Sequence, residues 1–215
     1  HQNRPTMVIS HGPLTLRDRL TKRMFDIVVA SIGLLATSPI LLATAIAIKL
    51  ESKGPVLFMQ KRIGRDNKIF ECCKFRSMYT DRCDADAAQL TTKNDPRVTK
   101  VGDFIRKTSI DELPQLINVL RGEMSIVGPR PHAMSAKAAD QLYWDVDTRY
   151  RHRHSMKPGL TGLAQVRGYR GPTDRTEDLT NRLASDLEYV DRWSIWMDFY
   201  LVARTATSLF GKNAF

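Results

Sequence analysis

The sequence predicts a helix-rich α/β protein in which a re-entrant membrane helix joins a compact cytoplasmic domain, with amphipathic helices at the membrane surface. Three observations lead to this fold class. Residues 27–48 form a run of 22 residues without a charge. Two short apolar runs flank the turn-forming residues 64–67, which predicts a hairpin. Leucines recur at helical spacing after Glu177, and 215 residues are enough for one domain with a hydrophobic core.

The charge-free run favours a helix that enters a membrane. A continuous helix over these residues would be about 33 Å long, close to the hydrocarbon thickness of a bilayer. Ser38 and Pro39 lie at its midpoint, where proline removes an amide donor and disfavours helical conformation in the residue before it. Because cations flank both ends, we expect a helix that bends at Ser38 and Pro39 and returns to the same side. A kinked helix that spans the bilayer is the alternative.

The expected domain organisation has three parts. Residues 1–20 form a polar or interfacial N-terminal segment, residues 21–53 the re-entrant helix, and residues 54–215 the cytoplasmic domain. Amphipathic aromatic residues near the C-terminus, such as Trp196 and Tyr200, suit either the lipid headgroup layer or a helix packed on the core.

Composition narrows the class of partner. Lys and Arg number 33 against 23 Asp and Glu, which gives a formal charge of +10 and requires an anionic partner. Aromatic residues are 8% of the chain and do not alternate with the basic ones, so we expect no nucleic acid. The three cysteines form no C-x-x-C pair, which favours reduced thiols in the cytosol.

The stretch RKTSIDELPQLINVLRGEMSIVGPRP, residues 106–131, concentrates the candidate chemistry. It contains the adjacent carboxylates Asp111 and Glu112, with Arg106 before them and Arg130 between two prolines. Carboxylates beside cations that could hold phosphate oxygens suit chemistry on a phosphate ester. The alternative is a structural centre of salt bridges.

Local structure around the two carboxylates has two interpretations. Ser109 to Glu112 fits an S-x-x-E capping box, which is usually no more than a helix start. Pro114 instead favours a helix that begins there, which would leave both carboxylates just ahead of its positive end.

Two further segments have a plain interpretation and a functional one. Lys74 and Arg76 would share a face of an extended strand, as exposed charges or as phosphate contacts. Residues 157–162, KPGLTG, predict a fixed loop rather than a strand interior, either a plain turn or a nest of amides that binds an anion.

Two metal-like patterns are interpreted as ordinary surface. Asp84 and Asp86 form a D-x-D triplet, which we assign to a solvated helix face. His152 and His154 stand among arginines that would repel a metal ion, so we expect no zinc site.

Five motifs in order resemble one family. They are KRMFD (22–26), the apolar run with its central Ser-Pro, KFRSM (74–78), TSIDELPQLINVLRGEMSIVGPRP (108–131) and KPGLTGLAQVRG (157–168). Together they resemble the bacterial sugar transferases, the small membrane-dipping polyprenyl-phosphate phosphoglycosyl transferases. The chain is most similar to the catalytic portion of the longer members that initiate exopolysaccharide synthesis.

The resemblance implies a reaction and a set of roles. Sugar 1-phosphate would pass from a UDP-sugar to undecaprenyl phosphate with release of UMP, through an aspartyl phosphosugar intermediate on Asp111. Glu112 would complete the catalytic pair, and Mg²⁺ would bridge Asp111 and the diphosphate. Arg106 and Arg130, with Lys74 and Arg76, would bind phosphate oxygens.

The resemblance also implies a location and partners. The protein would lie at the cytoplasmic face of the bacterial inner membrane in contact with its lipids. A homo-oligomer is compatible with the resemblance. Residues 131–134, PHAM, resemble a Pro-His-Ala stretch of family members that use UDP-glucose, so the resemblance implies glucose as the first choice of sugar and galactose as the next. Two alternatives remain: a one-step transfer with Asp111 as general base, and a membrane-anchored module that binds anions without catalysis.

Overall fold

The computed structural model describes residues 13–80, 95–132, 137–138, 141–142, 147–169, 171 and 176–210. Its α-helices are α1 Leu16–Glu51, α2 Lys100–Lys107, α3 Gln115–Arg121, α4 Leu163–Val166, α5 Thr176–Asp191 and α6 Ile195–Phe210. Its strands are β1 Leu57–Ile63, β2 Ile69–Phe75, β3 Ser125–Val127, β4 Lys137–Ala138, β5 Gln141–Leu142 and β6 Gly159–Thr161. Short 3₁₀ helices occupy Arg65–Asn67, Ile110–Glu112 and Thr148–Ser155. The chain is thus a helix-rich α/β protein with one long apolar helix, as expected.

Helix α1 is long and apolar enough to cross or dip into a membrane. It begins at a capping box, in which Thr15 Oγ1 accepts the Asp18 amide while the Asp18 carboxylate accepts the Thr15 amide. The helix therefore starts at Leu16, and the boundary expected between residues 20 and 21 falls inside it.

Helix α1 continues through Pro39 and is not divided into two half-helices. Pro39 has no amide to offer the carbonyl of Leu35, one turn earlier. The Ser38 hydroxyl donates to that carbonyl at 2.8 Å, so it replaces the missing backbone donor. This bond gives the physical reason that the helix is not interrupted where the sequence predicts a break.

The buried residues of α1 form two groups, one near each end. Lys22, Phe25, Asp26 and Ala30 belong to the first group, and Thr44 and Ile48 to the second, whereas no residue from 31 to 43 is buried. The first group packs on the main core around β3 and α3, and Ile48 packs with Phe75 and Ile105. Both ends of α1 therefore lie against the same domain.

The two cations at the start of the apolar run serve the fold. Lys22 is 6% exposed, and its Nζ lies 2.7 Å from Asp198 Oδ2 and donates to the carbonyl of Val127 at 3.0 Å. Arg23 donates to the carbonyls of Val119 and Leu120 and so caps the end of α3. Lys22 and Arg23 are the cations that flank the apolar run on its N-terminal side. The sequence suggested that they lie at the membrane surface, but both side chains bind groups of the folded domain.

The hairpin predicted around residues 64–67 is confirmed. Strands β1 and β2 are antiparallel, with Leu57 opposite Phe75 and Ile63 opposite Ile69. Asp66 and Asn67 turn the chain with positive φ angles of 57° and 59°. A second pair, β4 with β5, is also antiparallel.

The prediction of a loop over residues 157–162 is wrong in part, because Gly159–Thr161 forms strand β6. It pairs in parallel with β3, so that Ser125 lies opposite Gly159 and Val127 opposite Thr161. The pairing depends on close approach: a Cβ on Gly159 would lie 2.0 Å from the Gly128 amide nitrogen. Glycine here lets two backbones meet.

Helix α5 contributes apolar side chains to the core, whereas α6 exposes several aromatic side chains. Leu179, Leu183 and Val190 of α5 are buried, which confirms the helical spacing in the sequence. On α6, Trp196, Phe199 and Tyr200 are exposed. Helix α1 also exposes large apolar side chains along its length: Leu16, Leu20, Met24, Val28, Ile32, Leu35, Ile40, Leu42, Ile46 and Leu50. The Phe199 ring meets that of Phe25 at 4.9 Å, which places the two sets side by side.

Candidate active site

The two carboxylates stand on a short turn between α2 and α3. Ser109 adopts a left-handed conformation with φ 57° and makes no side-chain cap, so the capping-box interpretation is wrong. Pro114 is the N-cap of α3, which confirms a helix beginning there. Ile110 of the turn and Ile48 of α1 pack in one cluster with Phe75 and Ile105, so the turn and the apolar helix share a small core.

Glu112 is bound by two of the predicted cations. Arg130 Nη2 lies 2.5 Å from Glu112 Oε1 and Nη1 lies 3.3 Å from Oε2, a two-pronged contact. Lys74 Nζ lies 3.4 Å from the same Oε1. The Glu112 side chain is 12% exposed. Both of its oxygens are therefore engaged, and its role is to hold Lys74 and Arg130 in place.

Asp111 has the opposite surroundings. Within the described part of the chain, no hydrogen bond or ion pair engages its carboxylate. Burial raises its pKa, the charge of Lys74 opposes that rise, and Glu112 adds to it. The charges of Arg106 and Arg130 also lower the pKa, so both lie within electrostatic range. Asp111 is thus an uncommitted carboxylate in a field of three cations, an arrangement suited to attack on an anionic phosphorus centre.

The loop that carries Arg130 is fixed on several sides. The Pro129 carbonyl accepts the Gly159 amide at 2.9 Å, and the His132 carbonyl accepts the Ile63 amide at 3.3 Å. Between them, the Arg130 carbonyl accepts Arg153 Nη2 at 2.8 Å. The strand pair, the hairpin and the 3₁₀ helix 148–155 together position this loop.

A buried histidine pair supports the same loop. His132 Nε2 and His154 Nε2 are 3.3 Å apart, and His154 Nδ1 lies 2.7 Å from Asn67 Oδ1. Because an amide oxygen only accepts, Nδ1 carries the proton and Nε2 accepts from His132. Burial and the charge of Arg153 lower the pKa of His154 to about 4, so it is neutral at pH 7.

The structure brings together five of the six predicted site residues. Asp111, Glu112, Lys74, Arg106 and Arg130 interact as described above. Arg76 does not join them: it is 3% exposed and donates to the carbonyls of Lys53 and Ser52, which close the end of α1. Arg76 is therefore not placed as a phosphate contact: it follows Phe75, the last residue of β2, and the end of α1 holds its guanidinium.

Sequence reasoning missed three residues near the site. Arg62 of β1 lies close enough to Cys72, beneath the cluster, to oppose the rise that burial causes in the pKa of that thiol. Arg153 and His154 support the Arg130 loop, whereas the sequence suggested only surface charge. Tyr150, Arg153 and His154 are buried while Arg151 and His152 are exposed, so helical spacing was the sequence signal that could have identified the buried residues.

Four of the residues discussed from the sequence, Asp84, Asp86, Ala133 and Met134, lie outside the described residues.

The donor set fits a magnesium ion shared with a substrate. Mg²⁺ is typically held by one or two carboxylates together with substrate phosphates rather than by a complete protein cage. Asp111 offers carboxylate oxygens without a hydrogen-bonding partner in the described chain, and Glu112 is occupied by cations. Across those same residues no group of three metal-binding side chains forms such a cage. The described residues by themselves therefore supply a partial site.

Comparisons with known proteins add a family to what this fold and site define, a helix-rich α/β protein with one long apolar helix and a pair of carboxylates among cations. The family model described as bacterial sugar transferase matches residues 17–212. The chain therefore belongs to the bacterial sugar transferase family.

Three relatives give the extent of the match. The undecaprenyl-phosphate glucose phosphotransferase of Komagataeibacter xylinus is 51% identical over 209 residues, which is 97% of this chain and 39% of that protein. The UDP-glucose:undecaprenyl-phosphate glucose-1-phosphate transferase of Escherichia coli K12 is 49% identical over 210 residues, 98% of this chain and 44% of that protein. The exopolysaccharide production protein PSS of Rhizobium leguminosarum bv. phaseoli is 51% identical over 191 residues, 89% of this chain and 96% of that protein. The chain thus spans less than half of the first two relatives and nearly all of the third.

Proposed function

We propose that this chain is an enzyme that transfers sugar 1-phosphate from a UDP-sugar to undecaprenyl phosphate and releases UMP. The observation that carries the proposal is the contrast between the uncommitted carboxylate of Asp111 and the bound carboxylate of Glu112, in one cluster of cations beside an apolar helix. The names of the Komagataeibacter and Escherichia relatives support the same reaction.

In the first step, a carboxylate oxygen of Asp111 attacks the sugar-side phosphorus of the diphosphate. The bond between that phosphorus and the bridging oxygen breaks, and UMP leaves with the electron pair. Lys74, Arg106 and Arg130 offset the negative charge that otherwise keeps a carboxylate and a diphosphate apart. Asp111 then carries the sugar phosphate as an acyl phosphate.

In the second step, an oxygen of undecaprenyl phosphate attacks the same phosphorus. The bond to Asp111 breaks, the carboxylate is restored, and the product is undecaprenyl diphosphate sugar. A phosphate is already ionised at neutral pH, so the acceptor needs no general base. Dividing the transfer lets one site serve two large anionic substrates in turn.

Asp111, together with the substrate diphosphate, would hold Mg²⁺. When bound, the ion neutralises charge on the phosphate oxygens. Glu112 keeps Lys74 and Arg130 at the edge of the same site.

The exposed apolar surface supports a location of the site at a bilayer. Both ends of α1 contact one domain, while the residues around Ser38 and Pro39 are exposed and lie farthest from the buried groups. We therefore infer that α1 dips into the cytoplasmic leaflet of the inner membrane as a continuous helix that bends at Ser38 and Pro39 without breaking. Trp196, Phe199 and Tyr200 would rest in the headgroup layer. Ile110 packs on the cluster that includes Ile48 of α1, and we infer that Asp111 meets a lipid phosphate at the membrane surface.

Glucose is the sugar that we propose first. Two of the relatives above are named for glucose transfer. The segment PHAM, residues 131–134, gave the same preference from the sequence.

The test is a mass-spectrometric trap of the intermediate. Detergent-solubilised protein is incubated with UDP-glucose and Mg²⁺ without the lipid acceptor and is then digested rapidly. We expect a hexose-phosphate adduct on the peptide that contains Asp111, absent from the Asp111→Asn variant. UMP release with lipid but no adduct for any UDP-sugar would support the one-step reaction. Failure to release UMP under all conditions would favour an anion-binding module.

A further inference from the structure

Arg153 is the side chain that contacts the backbone of Arg130, although it lies outside the group of charges around Asp111. Its Nη2 donates to the Arg130 carbonyl at 2.8 Å, and the same nitrogen lies 2.7 Å from Asp186 Oδ2 on α5. Resting on the proposed function, we propose that Arg153, held by Asp186, is a positioning residue that aims the Arg130 guanidinium at the reacting phosphate.

The hydrogen bond from Arg153 lies where it can control the orientation of the Arg130 peptide. The carbonyls of Pro129 and His132, on either side, are bound by backbone amides of Gly159 and Ile63. For the peptide between them, Arg153 supplies the hydrogen bond to the Arg130 carbonyl. The Arg130 side chain leaves the same residue, so rotation of this peptide would swing the guanidinium away from Glu112.

The surroundings of Arg153 indicate a specific task. Arg153 and Asp186 are each 2% exposed, and Arg153 also contacts the hydroxyl and ring of Tyr150. A buried ion pair is weak evidence of stabilisation, because apolar residues of similar volume often serve as well. Asp186 Oδ2 pairs with Arg153 by charge and distance, without hydrogen-bond geometry, so the directional contact of the guanidinium is its hydrogen bond to the Arg130 carbonyl. An ammonium would hold that carbonyl at a less fixed angle. The arrangement is thus suited to fix the direction of a neighbouring group.

The experiment is a double-mutant cycle between Arg153→Lys and Arg130→Ala, with UMP release measured as initial rates. In the chain with Arg130 we expect Arg153→Lys to lower kcat by about 30-fold or more with little change in KM, the effect of a misplaced group. In the Arg130→Ala background the same change should lower kcat by no more than about 3-fold, because the group it positions is gone.

Arg167→Lys is the matched control. Arg167 also pairs with a carboxylate of α5, Glu188, at 2.6 Å, but this pair is exposed, and the Arg167 guanidinium also donates to Ser185 of the same helix. Its substitution should leave kcat unchanged in both backgrounds. An equal loss from Arg153→Lys in the two backgrounds would overturn the proposal and leave Arg153 a purely structural role.

A second measurement does not depend on turnover. The Nε–Hε signal of Arg130 is assigned in ¹⁵N spectra of the detergent-solubilised protein by its loss in Arg130→Ala. We expect Arg153→Lys to shift or broaden this signal and Arg167→Lys to leave it in place. An unchanged signal would overturn the positioning role, whereas a shifted signal in a protein that releases no UMP would refute only the reaction.

The charge-free pair Arg153→Met with Asp186→Leu repeats both measurements if Arg153→Lys does not fold. It leaves no unpaired buried charge and still removes the donor to Arg130. The same loss of kcat and the same shifted signal are expected, and wild-type values for both would overturn the proposal.

Discussion

Asp111 and Glu112 are neighbours with the same functional group, and the structure gives them different chemistry. Glu112 accepts Arg130 and Lys74, whereas the Asp111 carboxylate meets the same cations only through their field. The sequence identified both carboxylates, Arg106 and Arg130 from one dense motif, and Lys74 from a separate one. It could not assign their partners, because Lys74 reaches Glu112 from a strand distant in the chain.

The acidic limb of the pH–rate profile tests this assignment. Asp111 must be ionised to attack, and burial raises its pKa above the usual 3.8 while Lys74 is the largest opposing charge. In Lys74→Met we expect the pKa of Asp111 to rise further, so the rate of adduct formation falls off at a higher pH. At pH 7 we also expect a loss of roughly 100-fold, since a charge that stabilises the transition state is removed.

Adduct formation is followed by rapid quench from pH 4 to 8 in both proteins. Lys61→Met is the control, because Lys61 is an exposed cation on the same hairpin. Identical acidic limbs in wild type and Lys74→Met would contradict the electrostatic role.

His154 gives the fold a pH dependence of defined sign. Its pKa is about 4 in the folded protein against 6.5 for a free side chain, so below pH 6.5 the unfolded chain binds a proton that the folded chain does not. Its contribution is present above pH 6.5 and is lost as the pH falls through 4, by up to about 3 kcal/mol at 1.36 kcal/mol per pKa unit. His154→Gln should flatten this fall.

Thermal melts of the purified protein from pH 7.5 to pH 4 measure that effect. His152→Gln, at an exposed position, should keep the wild-type slope. The same slope in His154→Gln would show that other groups cause the pH dependence.

At the scale of elements, the sequence predicted correctly the features that depend on residues close together in the chain. The turn at residues 64–67, the proline at the start of α3 and the leucine spacing of α5 each act within a few residues, and each was confirmed. Strand β6 was missed because it depends on Gly159 meeting Gly128 across 31 positions of sequence, which no local pattern contains. The buried roles of Lys22 and Arg76 were missed for the same reason: their partners lie in distant segments.

Helix α1 offers a test of how a proline is tolerated. Ser38 Oγ donates to the Leu35 carbonyl, for which Pro39 has no amide. Ser38→Ala should therefore leave that carbonyl without its donor and destabilise the protein by about 1 kcal/mol. Thr37→Ala is the matched control, because the Thr37 hydroxyl donates to the Gly33 carbonyl, which the Thr37 amide of the continuous helix can also serve.

Thermal melts in one detergent compare the two variants with wild type. We expect Ser38→Ala to lower Tm clearly and Thr37→Ala to lower it little. A larger effect for Thr37→Ala would show that the Ser38 bond does not compensate for the proline.

At the scale of the molecule, the position of α1 on its domain sets which side of a membrane each end occupies. Lys22 near the start and Ile48 near the end both pack on the same domain, and the exposed apolar residues lie between and outside these contacts. A helix that crossed the bilayer would place its two ends on opposite sides, and one end would have to leave the domain. The fold therefore predicts that both ends of α1 lie on the same side of the membrane.

Single cysteines at Arg19, Lys53 and Ile40, all exposed positions, test this shared side. The buried thiols of Cys72 and Cys73 are first confirmed to be unreactive in the parent chain, and Cys83 is replaced by Ser. In inside-out vesicles, a maleimide that cannot cross membranes should label Arg19→Cys and Lys53→Cys, and it should label neither in right-side-out spheroplasts. Ile40→Cys should react only after detergent is added, because the bilayer covers the middle of α1. Labelling of Arg19→Cys and Lys53→Cys from opposite sides would establish a spanning helix, and α1 would then have to release one end from the domain.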